Sequence, residues 1–403
     1  MKVYIGIDWS EAKHDVLFLN ETGAAIAQMT IPHGLEGFEQ LEHTRQRLGL
    51  ELNSCIIGLE TAHNLIIDFL WSRGYSRIYV VPPTTIKGNR SRFRHSRARS
   101  DASDALVIAD CPRTDQGRLQ PWKPDQPLTR HIRAKVSLIN YLTKEIVRLS
   151  NRLRSVLLRY YPAALNVFSG WPTLIGLNFI QSYPTPQKAQ ALTQALFRAF
   201  TRKHHYPQSR VAACFARLQA DYPEASASTV ASLQDEAVLL ASFLQRTLKA
   251  KSSSLRELGH LFSDHPDAPI FASLPGAGDL LAPALLGKFG DDRERFPSPS
   301  SVQALAGTCP VTDSSGKRRI IRFRRACDRE FRYIAQQWAR ASLERSVWAN
   351  AYFQTVYGRC QSINHAYRCL ANRWLAILWK LWQSHEPYDE AYHLNQRAKH
   401  SKR

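Results

Sequence analysis

Short apolar runs alternate with amphipathic stretches over roughly the first 110 residues of the chain. Helical periodicity predicts helices over residues 35–48, 62–72 and 101–111. Runs rich in Val and Ile predict buried strands at 3–7, 16–19, 24–30, 54–59 and 77–81. Three consecutive strands followed by strand–helix alternation indicate an α/β domain, a mixed sheet covered by helices.

Beyond a proline-containing stretch at 121–127, which reads as a linker, the pattern becomes helical. Between Ile139 and Tyr160 the apolar residues alternate spacings of three and four, which is a heptad seam, and its extension back to Leu128 meets one misfit, Lys135. Residues 227–262 show the same spacing with a slip before Leu255. The two helices either pair antiparallel within one chain, join two chains, or belong to an ordinary helical bundle.

These patterns divide the chain into four parts. We predict an α/β domain over 1–115, a linker and coiled-coil region with an inserted helical segment over 116–265, and a mainly α C-terminal domain over 266–385. A basic tail follows over 386–403, and its last residues, QRAKHSKR, have the composition of a disordered end. Residues 165–226 carry helical patterns but no motif that assigns them a role.

The charge balance indicates a polyanionic partner. Lys and Arg number 54 against 34 Asp and Glu, a formal charge of +20, and nucleic acid is the commonest partner of such a surface. The seven cysteines contain no CxxC pair, which argues against a zinc site or a disulfide framework. The sequence shows no signal-peptide pattern and no apolar run of membrane-spanning length, so we expect a cytoplasmic, nucleoid-associated protein with no membrane contact.

Four carboxylates stand where strands and a helix bring them together. Asp8 and Glu60 each end an apolar strand, and Asp101 and Asp104 are spaced to share one face of a helix. Side chains just past strand ends of an open α/β sheet point into the crevice where ligands bind. Clustered carboxylates need cations, and two Mg²⁺ ions would suit the cleavage of a phosphodiester. Singly, each residue is more often a turn former, and Asp101 also suits a helix N-cap.

Two basic runs and a glycine turn are candidates for binding nucleic acid. Gly276 and Gly278 leave backbone N–H groups uncovered at the start of a helix, as in a helix-hairpin-helix element, although a purely structural turn is equally consistent. The first basic run is 86–100 and the second begins at 317. Their cationic residues are Lys87, Arg90, Arg92, Arg94, Arg97 and Arg99, then Lys317, Arg318, Arg319, Arg322, Arg324 and Arg325.

The stretches GIDWSEAKHDV, IGLE and SDASDA resemble the motifs of the DEDD transposases of bacterial insertion sequences, whose relatives include the Piv-type invertases. Ser100 stands where that family commonly has threonine. The resemblance implies a RuvC-like, RNase H-fold N-terminal domain with Asp8, Glu60, Asp101 and Asp104 as Mg²⁺ ligands.

LAGTCPVTDSSGKRR, residues 305–319, resembles a second hallmark of the same family. The match of Gly307, Pro310, Ser315 and Gly316 implies that Ser315 is the nucleophile, although Ser314 lies beside it and Ser-Gly is commonly only a turn. The family further implies donor and target double-stranded DNA, a structured guide called the bridge RNA, and a dimer or tetramer with a composite site.

We therefore predict a DNA transposase that cuts and rejoins strands with Mg²⁺ and a serine. Two alternatives stay open. A structure-selective endonuclease of RuvC type would need the carboxylates without Ser315, and a non-catalytic nucleic-acid-binding protein would need only the basic runs.

Overall fold

The computed structural model describes residues 1–62, 65–93, 101–316 and 318–401, with the side chains of residues 101, 102 and 397–401 outside that description. The chain separates into two compact units, Met1–Asp125 and Gln126–Arg403. Within the described ranges, no helix has the length and apolarity needed to cross a bilayer.

A five-stranded mixed sheet forms the centre of the first unit. Its order is β3-β2-β1-β4-β5, with β1 antiparallel to β2, β2 antiparallel to β3, and β1, β4 and β5 mutually parallel. The five strands lie within two or three residues of the predicted positions, so the mixed α/β sheet is confirmed. The strands are β1 (Val3–Trp9), β2 (Lys13–Leu19), β3 (Ala25–Pro32), β4 (Cys55–Leu59) and β5 (Ile78–Val80).

Helices cover both faces of this sheet because its strands are apolar on both sides. Buried residues of α1 and α2 pack with Val3, Ile5 and Ile57 on one face, while Ala105 and Ala109 of α4 pack with Tyr4 and Ile56 on the other. The helix α3 was not predicted, although Pro83 suits the first turn where it stands. The helices are α1 (Leu35–Arg47), α2 (Leu65–Ser72), α3 (Pro83–Asn89) and α4 (Asp101–Asp115).

Two long helices, α5 (Pro127–Tyr160) and α11 (Ala227–Ser263), run antiparallel in the second unit. Arg152 pairs with Glu236 at 2.6 Å, and Lys135, further back on α5, pairs with Glu257, further on along α11. Of the three arrangements that the sequence left open, the structure shows antiparallel pairing within one chain. The Lys135–Glu257 pair also explains why a lysine interrupts the seam, because the Lys135 ammonium contacts a carboxylate of the partner helix.

The segment between these helices, whose role no motif indicated, folds around a core of its own. Phe179, Phe197 and Val211 are fully buried there together with Leu153 and Leu157 of α5. Aromatic edge-to-face contacts, such as Phe179 against Phe197 with ring centres 6.0 Å apart, fill this core. The helices are α6 (Ala163–Asn166), α7 (Leu174–Ser182), α8 (Pro186–Gln190), α9 (Gln194–Lys203) and α10 (Val211–Leu218).

The C-terminal part is mainly helical, as predicted, and adds one hairpin. Its core contains Trp338, Trp374 and Trp382, all fully buried. The elements are α12 (Ala268–Ala272), α13 (Gly278–Phe289), α14 (Pro299–Leu305), β6 (Val311–Ser315), β7 (Arg318–Arg322), α15 (Arg329–Ser342), α16 (Val347–Cys360), α17 (Ile363–Ser384) and α18 (Glu390–Ser401).

The expectation of a disordered end is wrong for residues 396–401, because the backbone is helical from Glu390 to Ser401 in α18. Residues 402 and 403 lie outside the described residues. The start of this helix is held by side-chain hydrogen bonds. Ser346 Oγ donates to Glu390 Oε1 at 3.0 Å, and the Tyr388 hydroxyl donates to Glu390 Oε2 at 2.7 Å. Basic composition alone did not reveal this anchoring carboxylate.

Charges placed in the seam between α5 and α11 should unfold the second unit. Leu153 is fully buried and Ile146 is half-buried in the same core. The double variant Ile146→Asp with Leu153→Asp therefore places two carboxylates in this core without partners. We expect a loss of more than about 4 kcal/mol in the free energy of unfolding, measured by urea titration. Leu158→Asp, at an exposed position on α5, is the matched control and should change the free energy of unfolding little. Equal stability of the double variant and the wild type would contradict the buried seam.

Candidate active site

Asp8 and Glu60 lie side by side at one edge of the first unit's sheet. β1 and β4 are parallel and adjacent, and Ile7 is the register partner of Leu59. The next residue on each chain is the carboxylate, so the two backbones are separated by about one strand spacing, roughly 4.8 Å.

Asp8 belongs to the face of the sheet that α4 covers, and Glu60 directly follows the neighbouring strand β4. Ile7 and Leu59 pack in the core on the opposite face, and successive side chains of a strand alternate between faces. Asp8 therefore shares its face with Gly6, while Glu60 comes directly after the last residue of β4, two positions beyond Gly58. The helix that carries Asp101 and Asp104 lies over the same face.

Two glycines allow this helix to approach the sheet closely. Gly6 and Gly58 are register partners on β1 and β4. A Cβ on Gly6 would lie 2.1 Å from the carbonyl oxygen of Ala105, and one on Gly58 would lie 2.3 Å from that of Ile108. Any side chain at either position would push α4 away from the sheet, and with it the aspartates at the start of the helix.

Asp104 is held by Arg90. The guanidinium donates from Nε to Oδ1 at 2.7 Å and from Nη2 to Oδ2 at 2.6 Å, a bidentate ion pair with both side chains partly exposed. The hydrogen bond to Asp104 raises the pKa of Arg90, and the charges of Asp8 and Glu60 raise it further. One arginine thus experiences the field of all three carboxylates, which indicates that their charges converge on one region.

The donor set suits a hard divalent cation, because carboxylate oxygens are the ligands that Mg²⁺ prefers. Within the described part of the chain, no three His, Cys, Asp or Glu side chains are grouped as a metal site. Asp104 is engaged by Arg90, and the side chain of Asp101 lies outside the description. The four-ligand site stays a prediction.

The first basic run is partly described. Arg90 pairs with Asp104, and Arg92 approaches the buried Asp110 at 3.4 Å, so both guanidiniums contact carboxylates on α4. Lys87 lies in the last turn of α3. The remaining arginines of this run, Arg94, Arg97 and Arg99, lie outside the described residues. Sequence reasoning assigned Arg90 and Arg92 to nucleic acid and missed their carboxylate partners.

Ser315 ends the first strand of an exposed hairpin in the second unit. β6 and β7 are antiparallel, with Ser315 opposite Arg318 and Ser314 opposite Arg319. Gly316, at φ +56°, begins the turn in the left-handed region that glycine favours; Lys317 is not among the described residues. Since neighbouring positions point to opposite faces, the two serines face opposite sides of the hairpin.

The base of this hairpin is packed by arginines. The guanidinium carbons of Arg332 and Arg368 lie 4.3 and 4.8 Å from the ring centre of Phe323. Arg332 Nη2 also donates to the carbonyl oxygen of Arg324. On the hairpin itself, Arg322 pairs with Asp313 at 3.2 Å, while Arg325 beyond it is exposed. These contacts fix the base and leave the tip in solvent.

The glycine turn at 276–278 has an evident packing role. Gly276, at φ +75°, lies so close to α15 that a Cβ would be 2.4 Å from the carbonyl oxygen of Ala341. Gly278, at φ +55°, is exposed and opens α13 with open space around its Cα. The structure thus accounts for Gly276 by packing, and the phosphate-binding role of both glycines stays a prediction.

The exposed arginines of the hairpin should make nucleic-acid binding depend on salt. We expect the triple variant Arg318→Gln, Arg319→Gln and Arg325→Gln to reduce the slope of log K against log salt by about 0.9 for each DNA phosphate that these side chains no longer neutralise. Fluorescence anisotropy with a labelled duplex over a salt series measures this slope. Arg148→Gln, which removes an exposed arginine paired with Glu145 on α5, should leave it unchanged. An unaltered slope in the triple variant would exclude the hairpin from backbone contact.

Comparison with known proteins gives a consistent result for both units. Residues 5–162 match the IS110-type DEDD transposase profile, described as "Transposase". Residues 268–354 match a second profile, described as "Transposase IS116/IS110/IS902 family". The two matches together span more than half of the chain.

Curated relatives agree with these profiles. The chain is 29% identical over 401 residues to "Mini-circle putative transposase for IS117" of Streptomyces coelicolor, covering 97% of this chain and 96% of that protein. It is 27% identical to "Putative transposase y4uE" of Sinorhizobium fredii over 50% of this chain and 56% of that one. A match at 28% identity to "Insertion element IS110 uncharacterized 43.6 kDa protein" of Streptomyces coelicolor covers 54% of each chain.

The α/β unit with carboxylates at its strand ends and the helical unit with a basic hairpin thus both contain sequence that matches transposase profiles, and the chain is a DNA transposase. The chain belongs to the IS110 family of insertion-sequence transposases. Transposases act on DNA, which they cut and rejoin, and those of the DEDD type typically use divalent metal ions.

Proposed function

We propose that this transposase cuts and rejoins DNA strands with two Mg²⁺ ions at the edge formed by β1, β4 and the start of α4, and with Ser315 as its nucleophile. The observation that carries the proposal is that Asp8 and Glu60 directly follow the register partners Ile7 and Leu59, at the end of two strands that α4 approaches closely over Gly6 and Gly58. The strand order and directions support an RNase H-like, RuvC-type fold for this unit.

Asp8, Glu60, Asp101 and Asp104 would hold the metal ions. Mg²⁺ held by these carboxylates would supply activation of the attacking oxygen and stabilisation of charge on the leaving oxygen. The protein contributes the positions of the carboxylates, which the β1–β4 register and the close approach of α4 fix. The arginines of the first basic run hold the substrate backbone near this edge.

Ser315 would carry the covalent step. Its Oγ attacks the phosphorus, an Oγ–P bond forms, and the bond to the leaving deoxyribose oxygen breaks; the serine loses its proton and the leaving oxygen gains one. The phosphoserine link conserves the energy of the phosphodiester, so joining requires no separate energy source. Arg318, opposite Ser315 on the hairpin, would stabilise charge on the phosphate.

We further propose that an element-encoded bridge RNA guides the enzyme to donor and target DNA, and that two or four chains assemble a composite site. The net charge of +20 supports binding of both nucleic acids. Sequencing of nucleic acid that copurifies with the protein tests the guide. A structured RNA from the element's own flank is expected, and an unbiased mixture of cellular RNA would contradict it.

The reaction is tested with the protein, its copurifying nucleic acid and a plasmid carrying the ends of the element that encodes it. Joined recombinant products are expected with Mg²⁺ and are expected to disappear with EDTA. Cleavage without joined product would instead favour a RuvC-type nuclease, and binding without cleavage would favour a non-catalytic protein.

A further inference from the structure

We propose that Arg90 and a divalent metal ion are alternative counter-ions of Asp104, so that metal binds at this edge only when Arg90 releases the carboxylate. The inference rests on the proposed function, since it concerns the same acidic residues. It assigns to Arg90 a role in controlling metal loading, beyond contact with nucleic acid.

The geometry of the pair makes the two cations mutually exclusive. Arg90 donates to Oδ1 at 2.7 Å and to Oδ2 at 2.6 Å, so both carboxylate oxygens of Asp104 accept from the same guanidinium. A metal ion that took either oxygen would lie against this positive group, and the two charges would repel each other. Metal coordination by Asp104 therefore requires the Arg90 side chain to move.

Arg90 also neutralises the clustered carboxylates when no metal is bound. Asp104 accepts both hydrogen bonds of its guanidinium, and the charges of Asp8 and Glu60 also act on it. Carboxylates gathered at one edge repel one another unless a cation neutralises them. The arginine relieves this repulsion, so it stabilises the site before metal arrives.

The backbone around Arg90 is anchored independently of Asp104. Arg90 lies in the short helical turn Arg90–Arg92 that follows α3. On either side of it, Asn89 Nδ2 lies 3.4 Å from Cys111 Sγ and Arg92 Nη1 lies 3.4 Å from Asp110 Oδ2, both on α4. The Arg90 side chain can thus exchange partners while its backbone stays packed against α4.

A DNA phosphate is the partner that would release Asp104. A guanidinium binds phosphate in the same bidentate geometry as carboxylate. A phosphate that draws Arg90 away leaves both oxygens of Asp104 available to metal. Metal loading and DNA binding then favour each other, which limits cleavage to a protein that already holds its substrate.

The test measures Mn²⁺ binding to the metal-free full-length protein, using the electron paramagnetic resonance signal of free Mn²⁺. We expect Arg90→Gln to bind Mn²⁺ about fivefold more tightly than the wild type, with Arg90→Lys between the two because it keeps a charge without the planar fork. Arg118→Gln is the matched control: it removes an arginine paired at 3.3 Å with Asp115 on the same helix, and Mn²⁺ affinity should not change. Circular dichroism melts establish that each variant is folded.

The possible results separate the inference from the proposed function. If folded Arg90→Gln binds Mn²⁺ no more tightly than the wild type, the inference is overturned. If Asp8→Asn and Glu60→Gln weaken Mn²⁺ binding in the same experiment, the proposed metal site itself still stands. If Asp8→Asn, Glu60→Gln and Asp104→Asn all bind Mn²⁺ as the wild type does, the metal lies elsewhere and the proposed function fails with the inference. Tighter binding in Arg90→Gln that is lost again on adding Asp104→Asn supports both.

Discussion

Asp8→Asn, Glu60→Gln, Asp101→Asn and Asp104→Asn should each abolish DNA strand cleavage while leaving DNA binding intact. Each substitution keeps the shape of the side chain and removes one anionic oxygen from the edge formed by β1, β4 and α4. Changing a residue that only supports the metal ligands lowers metal affinity or activity about 10- to 100-fold. Loss of a ligand itself should therefore lower the cleavage rate by more than about 100-fold.

The control for these variants lies on the other face of the same sheet. Asp68 is exposed on α2, which packs on the face away from α4, so Asp68→Asn changes the same kind of group outside the site. Cleavage rates from single-turnover gels and affinities from anisotropy give the comparison. Wild-type cleavage by any one of the four variants would remove that residue from the metal site.

The Ser315→Ala protein should lose strand exchange, whereas the Ser314→Ala protein should retain it. The two serines face opposite sides of the hairpin, so a nucleophile at Ser315 cannot be replaced by its neighbour without turning the strand over. Both positions are exposed, which makes alanine at either one inexpensive for folding. Because the metal and DNA contacts remain, binding to DNA should be unchanged in both variants.

The measurement for this pair is the yield of recombinant plasmid, with cleaved DNA quantified in the same reactions. Recombinant product should fall below detection in Ser315→Ala. Recombination at the wild-type rate in that variant would exclude the serine. Mg²⁺-dependent cleavage that persists there without joining would favour a nuclease of RuvC type.

Periodicity predicted the sheet and the long helices because both are governed by which residues face a core. The five strands and the two long helices follow from apolar spacing, whereas the spacing left open whether the two helices pair within one chain. The close approach of α4 also leaves a signal in the sequence: Gly-Ile-Asp at Gly6 to Asp8 and Gly-Leu-Glu at Gly58 to Glu60 place a glycine two residues before each carboxylate. Two positions along a strand return to the same face, so the repeated spacing indicates a helix above both glycines.

Features fixed by single long-range contacts were not predictable from the sequence. Arg90 belongs to a run of arginines, and nothing in that run indicates that this one pairs with Asp104. The end of the chain has a polar, basic composition, yet Glu390 ties the start of α18 to Ser346. The inserted segment folds on aromatic contacts between residues far apart in the chain, such as Phe168 with Tyr206. Local pattern carries no information about such partners.

The most direct test of the proposed mechanism is identification of the residue that becomes covalently attached to DNA. Reactions with Mg²⁺ and labelled DNA are stopped by denaturation, the protein is digested, and the modified peptide is mapped by mass spectrometry. We predict an adduct on Ser315 that is absent from the Asp8→Asn protein. An adduct on Ser314, or no serine adduct under conditions that yield recombinant product, would contradict it.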